Sequence, residues 1–221
     1  MLNKLPANVN TEQTKWQPAL DYDKDNCYSV AAIDDSGIIN KGNLEPIPAP
    51  TAALLDVLAK PLCICITNAT PGGAPTTYDY YFEVDRSSLR HDCEHIVVFL
   101  QDRNITFVAT SEHGKYKQHW PSEMQFEGTH PKVVYHKDGG RTHAFQKADT
   151  GGDFENPESA RGTWHYGNLI AWDRFPNDGL RNKLAAANFG DTSMAIRDDG
   201  SFNWNLESAA GGLAGSFNPY A

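Results

Sequence analysis

Asp92 and Glu94 are separated by a single residue, and Ile96-Val97-Val98-Phe99 follows after His95. A β-branched and aromatic run of this kind builds a strand. Side chains two apart on a strand share a face. The spacing therefore brings the two carboxylates together, with His91, Cys93 and His95 on the opposite face. Converging carboxylates repel, and a proton or a cation between them relieves the repulsion. Arg90 reads as a structural ion-pair partner of these acids, and His95 as a histidine satisfied within the strand. Such a cluster also suits a metal-dependent hydrolase, with Asp92 and Glu94 holding the cation and His113 or His143 as general base. No nucleophile elbow, zincin helix or phosphate-cradling glycine loop accompanies it.

The elements around this cluster are mostly strands. The pattern predicts them at Tyr28–Ile33, Leu62–Thr67, Thr77–Val84, Glu94–Gln101, Ile105–Thr110, Lys132–His136 and Thr142–Gln146. Asp102-Arg103-Asn104 and Asp138-Gly139-Gly140 read as hairpin turns. Helical spacing appears at Pro50–Lys60 and Asn177–Asn188. Asp149–Arg161 reads as a surface loop, and Trp172 and Trp204 as core. His119 and His165 adjoin Trp120 and Trp164 and read as surface stacking pairs. The expected architecture is mainly β: a single β-sandwich over residues 1–221, with peripheral helices.

Charge and composition remove several function classes. With 28 acidic and 19 basic residues the net charge is −9, and no block of Lys and Arg is present. Nucleic-acid binding needs such a block, and so does simple adhesion to anionic lipid. No apolar stretch approaches the roughly 20 residues of a membrane-spanning helix. Met1–Pro6 carries no apolar run, so no signal peptide is read there. Cys27, Cys63, Cys65 and Cys93 include no C-x-x-C pair. Cys63 and Cys65 fit either small core residues or partners for Cys27, and one disulfide from Cys27 is expected.

Several motifs then occur in a fixed order. Asp85 precedes Arg90-His91-Asp92-Cys93-Glu94-His95-Ile96-Val97-Val98, which is followed by Ser111-Glu112-His113-Gly114. The stretch from His130 to His143, His-Pro-Lys-Val-Val-Tyr-His-Lys-Asp-Gly-Gly-Arg-Thr-His, comes next. Gly162-Thr163-Trp164-His165-Tyr166, Leu169–Asp173, Asn188-Phe189-Gly190, Asp199–Leu206 and Phe217–Ala221 complete the series. Over nearly the whole chain this series resembles the necrosis- and ethylene-inducing peptide-like proteins, secreted cytolysins of plant-associated fungi, oomycetes and bacteria.

The resemblance implies a β-sandwich like those of actinoporins and fungal lectins, with a divalent cation, calcium or magnesium, in a cleft at one end. It implies that the cation helps bind plant plasma-membrane sphingolipid head groups, after which the membrane leaks without enzymatic chemistry. It places the cation site at Asp85, Asp92, Glu94, His113 and His143. A monomer in solution is expected. Three carboxylates suit a hard cation, and the imidazoles suit water-mediated contacts. The family's heptapeptide Gly-His-Arg-His-Asp-Trp-Glu reads Ser88-Leu89-Arg90-His91-Asp92-Cys93-Glu94 here. Leu89 removes one histidine of the cation shell, and Cys93 replaces a large aromatic. These departures raise a second expectation, a non-toxic lectin-like module that holds a glycan through the cation.

Overall fold

The computed structural model describes residues 2, 5–23, 27–43, 62–67, 75–85, 90–138, 142–148, 156–159, 162–197 and 200–216, with 62–67 and 214–216 described by backbone alone. In chain order the elements are α1 (Thr11–Lys15), β1 (Ala19–Tyr22), β2 (Leu62–Thr67), β3 (Thr76–Phe82), β4 (Asp92–Gln101), β5 (Asn104–Glu112) and β6 (Lys115–His119). They continue with β7 (Phe126–Glu127), β8 (His130–Asp138), β9 (Thr142–Lys147), β10 (Asn168–Ala171), α2 (Asp178–Ala185) and α3 (Ser201–Ala210). Among the described residues these strands form two sheets. One runs β10-β2-β3-β4-β5-β6; in the other β8 is flanked by β1 and β7 and also pairs β9. The expected mainly β sandwich is therefore the observed architecture.

The core between the sheets is aromatic. Tyr78, Tyr80 and Phe82 of β3, with Ile96 and Val98 of β4, meet Tyr22, Val133, Tyr135 and Phe145 from the other sheet. Phe82 lies flat on Tyr135, with ring centroids 3.8 Å apart. The larger sheet is covered on its other face as well. Tyr81 and Cys93 pack there against Leu180 and Leu184 of α2 and against Phe189. Val97, Phe99, Phe107 and Ala109 pack against Leu206, Ala209 and Ala210 of α3. This double covering explains why β3 and most of β4 are buried at consecutive positions, where a strand with one wet face would alternate.

The turns follow from residue type. Asp102 and Arg103 close the β4–β5 hairpin with φ of 51° and 60°, the double positive φ that a two-residue hairpin favours. His113 and Gly114 do the same between β5 and β6, at 50° and 73°. Between turn and site, β4 and β5 change register at Phe99/Leu100, where β5 carries a bulge. Gly42, at φ 64°, brings the N-terminal segment against the start of β4; a Cβ there would strike the Arg90 carbonyl and the His91 ring.

Several expectations need correction. Tyr28–Ile33 is an irregular segment with one isolated bridge, Ile33 to Ile39: Tyr28 enters the core between the sheets, and Ala31, Ala32 and Ile33 cover the outer face of the large sheet instead of joining its ladder. β1, β6, β7, β10, α1 and α3 were not expected; each is short or lies in polar sequence. Asn177 caps α2 by accepting the Leu180 N–H at 2.9 Å. Trp172 is core, but Trp204 is 58% exposed because it stands on the solvent side of α3. His119 and His165 are buried. His119 pairs with the Thr110 hydroxyl at 3.0 Å, and His165 packs edge-on against Tyr22 and Tyr28. Pro50–Lys60, Gly139–Gly140 and all of Asp149–Arg161 except residues 156–159 lie outside the described residues. Within 156–159, Ser159 is buried, and Asp21 accepts its backbone N–H at 3.0 Å.

Phe82→Ala should cost about 3–5 kcal/mol of stability, the usual range for emptying a fully buried phenylalanine site. Chemical denaturation followed by far-ultraviolet circular dichroism measures it, and a loss below about 1 kcal/mol would contradict this packing.

Candidate functional site

Strand β4 carries two chemistries on its two faces. Asp92 and Glu94 point between the sheets, in line with Ile96 and Val98. Cys93 and His95 point outward, toward α2 and α3. The predicted division of the strand is therefore observed. Asp92 stands opposite Phe82, and Glu94 opposite Tyr80. Both acids are buried, 7% exposed each, and so is Asp85 at 5%.

Each acid has one identified protein partner group. The Tyr135 hydroxyl donates to Asp92 Oδ2 at 2.7 Å. The Ser111 hydroxyl donates to Glu94 Oε2, and Ser111 Oγ in turn accepts the His95 backbone N–H at 2.7 Å. Asp85 Oδ1 accepts from His143 twice, from the backbone N–H at 3.2 Å and from Nδ1 at 2.8 Å. Burial pushes the Asp92 carboxyl up to about 6, with Asp85 adding to the rise while Tyr135, His143 and His95 oppose it. Burial pushes Glu94 well above the carboxylate range, and the charges of Asp92 and Asp85 add to it. The group thus favours a proton or a cation.

His143 completes the cluster. Its ring stacks on Tyr135 at 5.0 Å. With Nδ1–H committed to Asp85, Nε2 is left as an acceptor, buried and without a hydrogen-bond partner. A carboxylate that orients an imidazole in this way is a common support for cation ligands. Among the described residues no three of these side chains form a ready-made coordination group. The donor chemistry nevertheless fits a divalent cation: second oxygens on Asp92 and Glu94, and the Nε2 of His143.

The remaining predicted residues fall around this centre. His113 is held at the cleft mouth by its turn and pairs with Asp138 at 2.7 Å, both about 40% exposed in their side chains. It therefore faces the end of β8 and the start of β9, with the Thr142 hydroxyl at 3.5 Å. His91 meets the Tyr81 hydroxyl at 2.7 Å, and burial followed by Arg90 lowers its proton affinity. Arg90 is exposed, and among the described residues no ion pair to the carboxylates involves it. His95 is the satisfied histidine expected, bound to buried Asp79 at 2.7 Å.

Cys27 carries a free thiol, correcting the expected disulfide. The thiol donates to the Val84 carbonyl at 3.3 Å. Burial and the nearby charge of Asp92 push it up to about 12, so it stays protonated. The side chains of Cys63 and Cys65, and the whole of Leu89, lie outside the described residues.

Asp85, Asp92, Glu94, His113 and His143 line a cleft of about 780 Å³ that is also walled by 188–193 and by Ser201, Trp204 and Asn205 of α3. Sequence reasoning missed this wall because α3 was not expected. Gly200 before a Phe-x-x-x-Leu spacing, Phe202 to Leu206, was the available signal.

The profile of the family described as Necrosis inducing protein (NPP1) matches residues 10–51 and 68–209. The chain belongs to this family. Over 142 residues it is 31% identical to NLP effector protein 10 of Phytophthora capsici, a stretch covering 60% of this chain. The same stretch covers 55% of that protein, so the chain spans about half the length of this curated relative. The crystal structure of Necrosis and Ethylene inducing Protein 2, from the causal agent of cocoa's witches' broom disease, superposes with a TM-score of 0.74. That pair is 28% identical, and the match covers 94% of each chain. NLPPya in complex with mannosamine superposes with a TM-score of 0.75 at 21% identity, covering 94% of this chain and 95% of that one. This last is a likeness of fold alone.

The sign of the pH dependence follows from the raised carboxyls. The folded chain holds protons on Asp92 and Glu94 that the unfolded chain releases near pH 4, so stability falls as pH rises. For Asp92 the fall runs from about pH 4 to about pH 6 and totals on the order of 2–3 kcal/mol. Denaturation midpoints across this range, in chelator, should show the fall in the wild-type chain and a flatter profile in Asp92→Asn.

Proposed function

We propose that this protein is a secreted, non-enzymatic cytolysin that captures the glycosylated head groups of plant sphingolipids through a divalent cation and then permeabilises the membrane. The observation that carries this reading is the buried acid cluster at the cleft: Asp85, Asp92 and Glu94 beside an imidazole whose Nε2 has no partner. Family membership supports the toxin reading. The family's solved structures in complex with glucosamine and mannosamine support a sugar-bearing ligand.

Asp92, Glu94 and His143 would hold the cation, with Asp85 orienting His143 and His113 at the mouth. Calcium or magnesium there would supply positive charge to sugar hydroxyl and phosphate oxygens. Such a charge lets a chain of net charge −9 approach an anionic head group. Tyr135 and Ser111 each bond one oxygen of these acids, and the other oxygen would be available to the cation. Among the described residues no helix is long and apolar enough to cross a membrane. Membrane damage would rest on shallow insertion of segments such as 149–161 or 138–140 by a chain that is monomeric in solution.

A second reading is the non-toxic module, which binds the glycan without leakage. It is favoured by Leu89 and Cys93 in the heptapeptide. The structure adds that Cys93 is buried against Tyr81 and Phe189, so the smaller side chain changes packing behind the cluster and not the acids themselves. A hydrolase reading would require turnover of the glycolipid.

Dye release from vesicles of plant plasma membrane decides among these. Release is expected with calcium and should fall at least tenfold in chelator and in Asp92→Ala. Glycan binding without release would establish the module, and product formation from the glycolipid would establish the hydrolase.

A further inference from the structure

The α3 wall of the cleft carries a feature that the acid cluster does not use. Trp204 is 58% exposed, the highest value among the described large apolar side chains, while Trp16 and Trp172 are 6% and 7% exposed. It stands on a rigid base. Leu206, Ala209 and Ala210 bury the inner face of α3 against β4 and β5. From β6, the Tyr116 hydroxyl donates to Asn205 Oδ1 at 3.0 Å, and Gln118 Nε2 donates to the carbonyls of Ala209 and Ala210 at 2.9 and 2.6 Å. A tryptophan left in water forgoes a large burial gain, and here the helix beneath it is fixed while its ring faces a cleft. Asn188, Asp191, Thr192, Ser193 and Ser201 line the same cleft and supply it with polar groups.

An indole over hydroxyl, amide and carboxylate groups matches the two sides of a pyranose. The C–H face of the sugar is apolar and slightly positive, and the π face of an indole is negative. The hydroxyl edge wants donors and acceptors. A hexosamine adds an ammonium that is attracted both to the indole face and to the acids. An acyl chain or a bare lipid interface would gain nothing from this acidic surround.

We infer that Trp204 is the stacking platform of a pyranose-binding subsite on the α3 wall of the cleft that Asp92 and Glu94 also line, which orients the sugar while the acid cluster secures its polar end. This subsite rests on the head-group reading above.

The test is calorimetric titration of the full chain with glucosamine in calcium, with tryptophan emission followed in parallel. Wild type, Trp204→Ala, Trp204→Phe and Asp92→Asn are compared after thermal melts confirm folding. Expected are a quench in wild type, about tenfold weaker binding in Trp204→Ala, and binding within about threefold of wild type in Trp204→Phe. Binding by Trp204→Ala equal to wild type, with Asp92→Asn impaired, overturns the subsite and leaves the head-group reading standing. Impaired Trp204→Ala with unimpaired Asp92→Asn upholds the subsite and overturns the cation-based reading. No binding by wild type overturns the subsite. A blue shift of Trp204 emission with plain phosphatidylcholine vesicles, without any response to glucosamine, assigns the ring to the lipid surface and also overturns it.

Discussion

Asp92 and Glu94 lose nearly all their water when the sheets close, and Asp85 joins them behind His143. Desolvated acids at such proximity are tolerated only if the surrounding groups supply hydrogen bonds and if a proton or cation shares the charge. The rest of the cleft is organised around this constraint. Tyr135 crosses from the second sheet to bond Asp92, so the acids depend on both layers of the sandwich. Phe82 keeps Tyr135 flat. The pairing of Asp85 with His143 ties the start of β9 to the segment after β3. Closing the sandwich and building the site are one event.

The second covering layer makes this closure affordable in structural terms. α2 and α3 keep water from the outer face of the large sheet, so β4 is dry on both sides over most of its length. A dry strand moves little, and a site that must hold several oxygens in fixed relation gains from that stiffness. His95 and buried Asp79 form a polar pair on the outer face of the strand at this end. They give the outward side of the site the same kind of carboxylate–imidazole contact that Asp85 and His143 form on the inward side.

Much of this was legible in the residues. The i, i+2 spacing of Asp92 and Glu94 fixed their shared face, and the Asp102-Arg103 hairpin followed from turn chemistry. The long strands fell close to their expected bounds because β-branched and aromatic runs leave few alternatives. The misses have physical causes. Tyr28–Ile33 has strand composition, yet Ala31, Ala32 and Ile33 serve as a cover for the outer face, and composition cannot distinguish a cover from a ladder. β1 and β10 are four-residue strands that join the sheets through parallel pairing with distant partners, which local pattern does not report. Trp204 was read as core from its type alone, but its place on the helix decides its exposure. His113 turned toward Asp138 because a positive φ sets the direction of its side chain, a property of the turn and not of the residue name.

The β5 bulge lies between the Asp102-Arg103 turn and the acids. Beyond it, toward the turn, Leu100 pairs with Ile105; before it, Phe99 pairs with Phe107. A strand that slipped by one residue would exchange Asp92 and Glu94 for Cys93 and His95 at the inner face. The bulge absorbs one residue of length before such a slip reaches the acids. Insertions and deletions at the hairpin tip are thereby decoupled from the chemistry at the far end of the same strand, and the molecule can drift in outline while its acidic end stays in register.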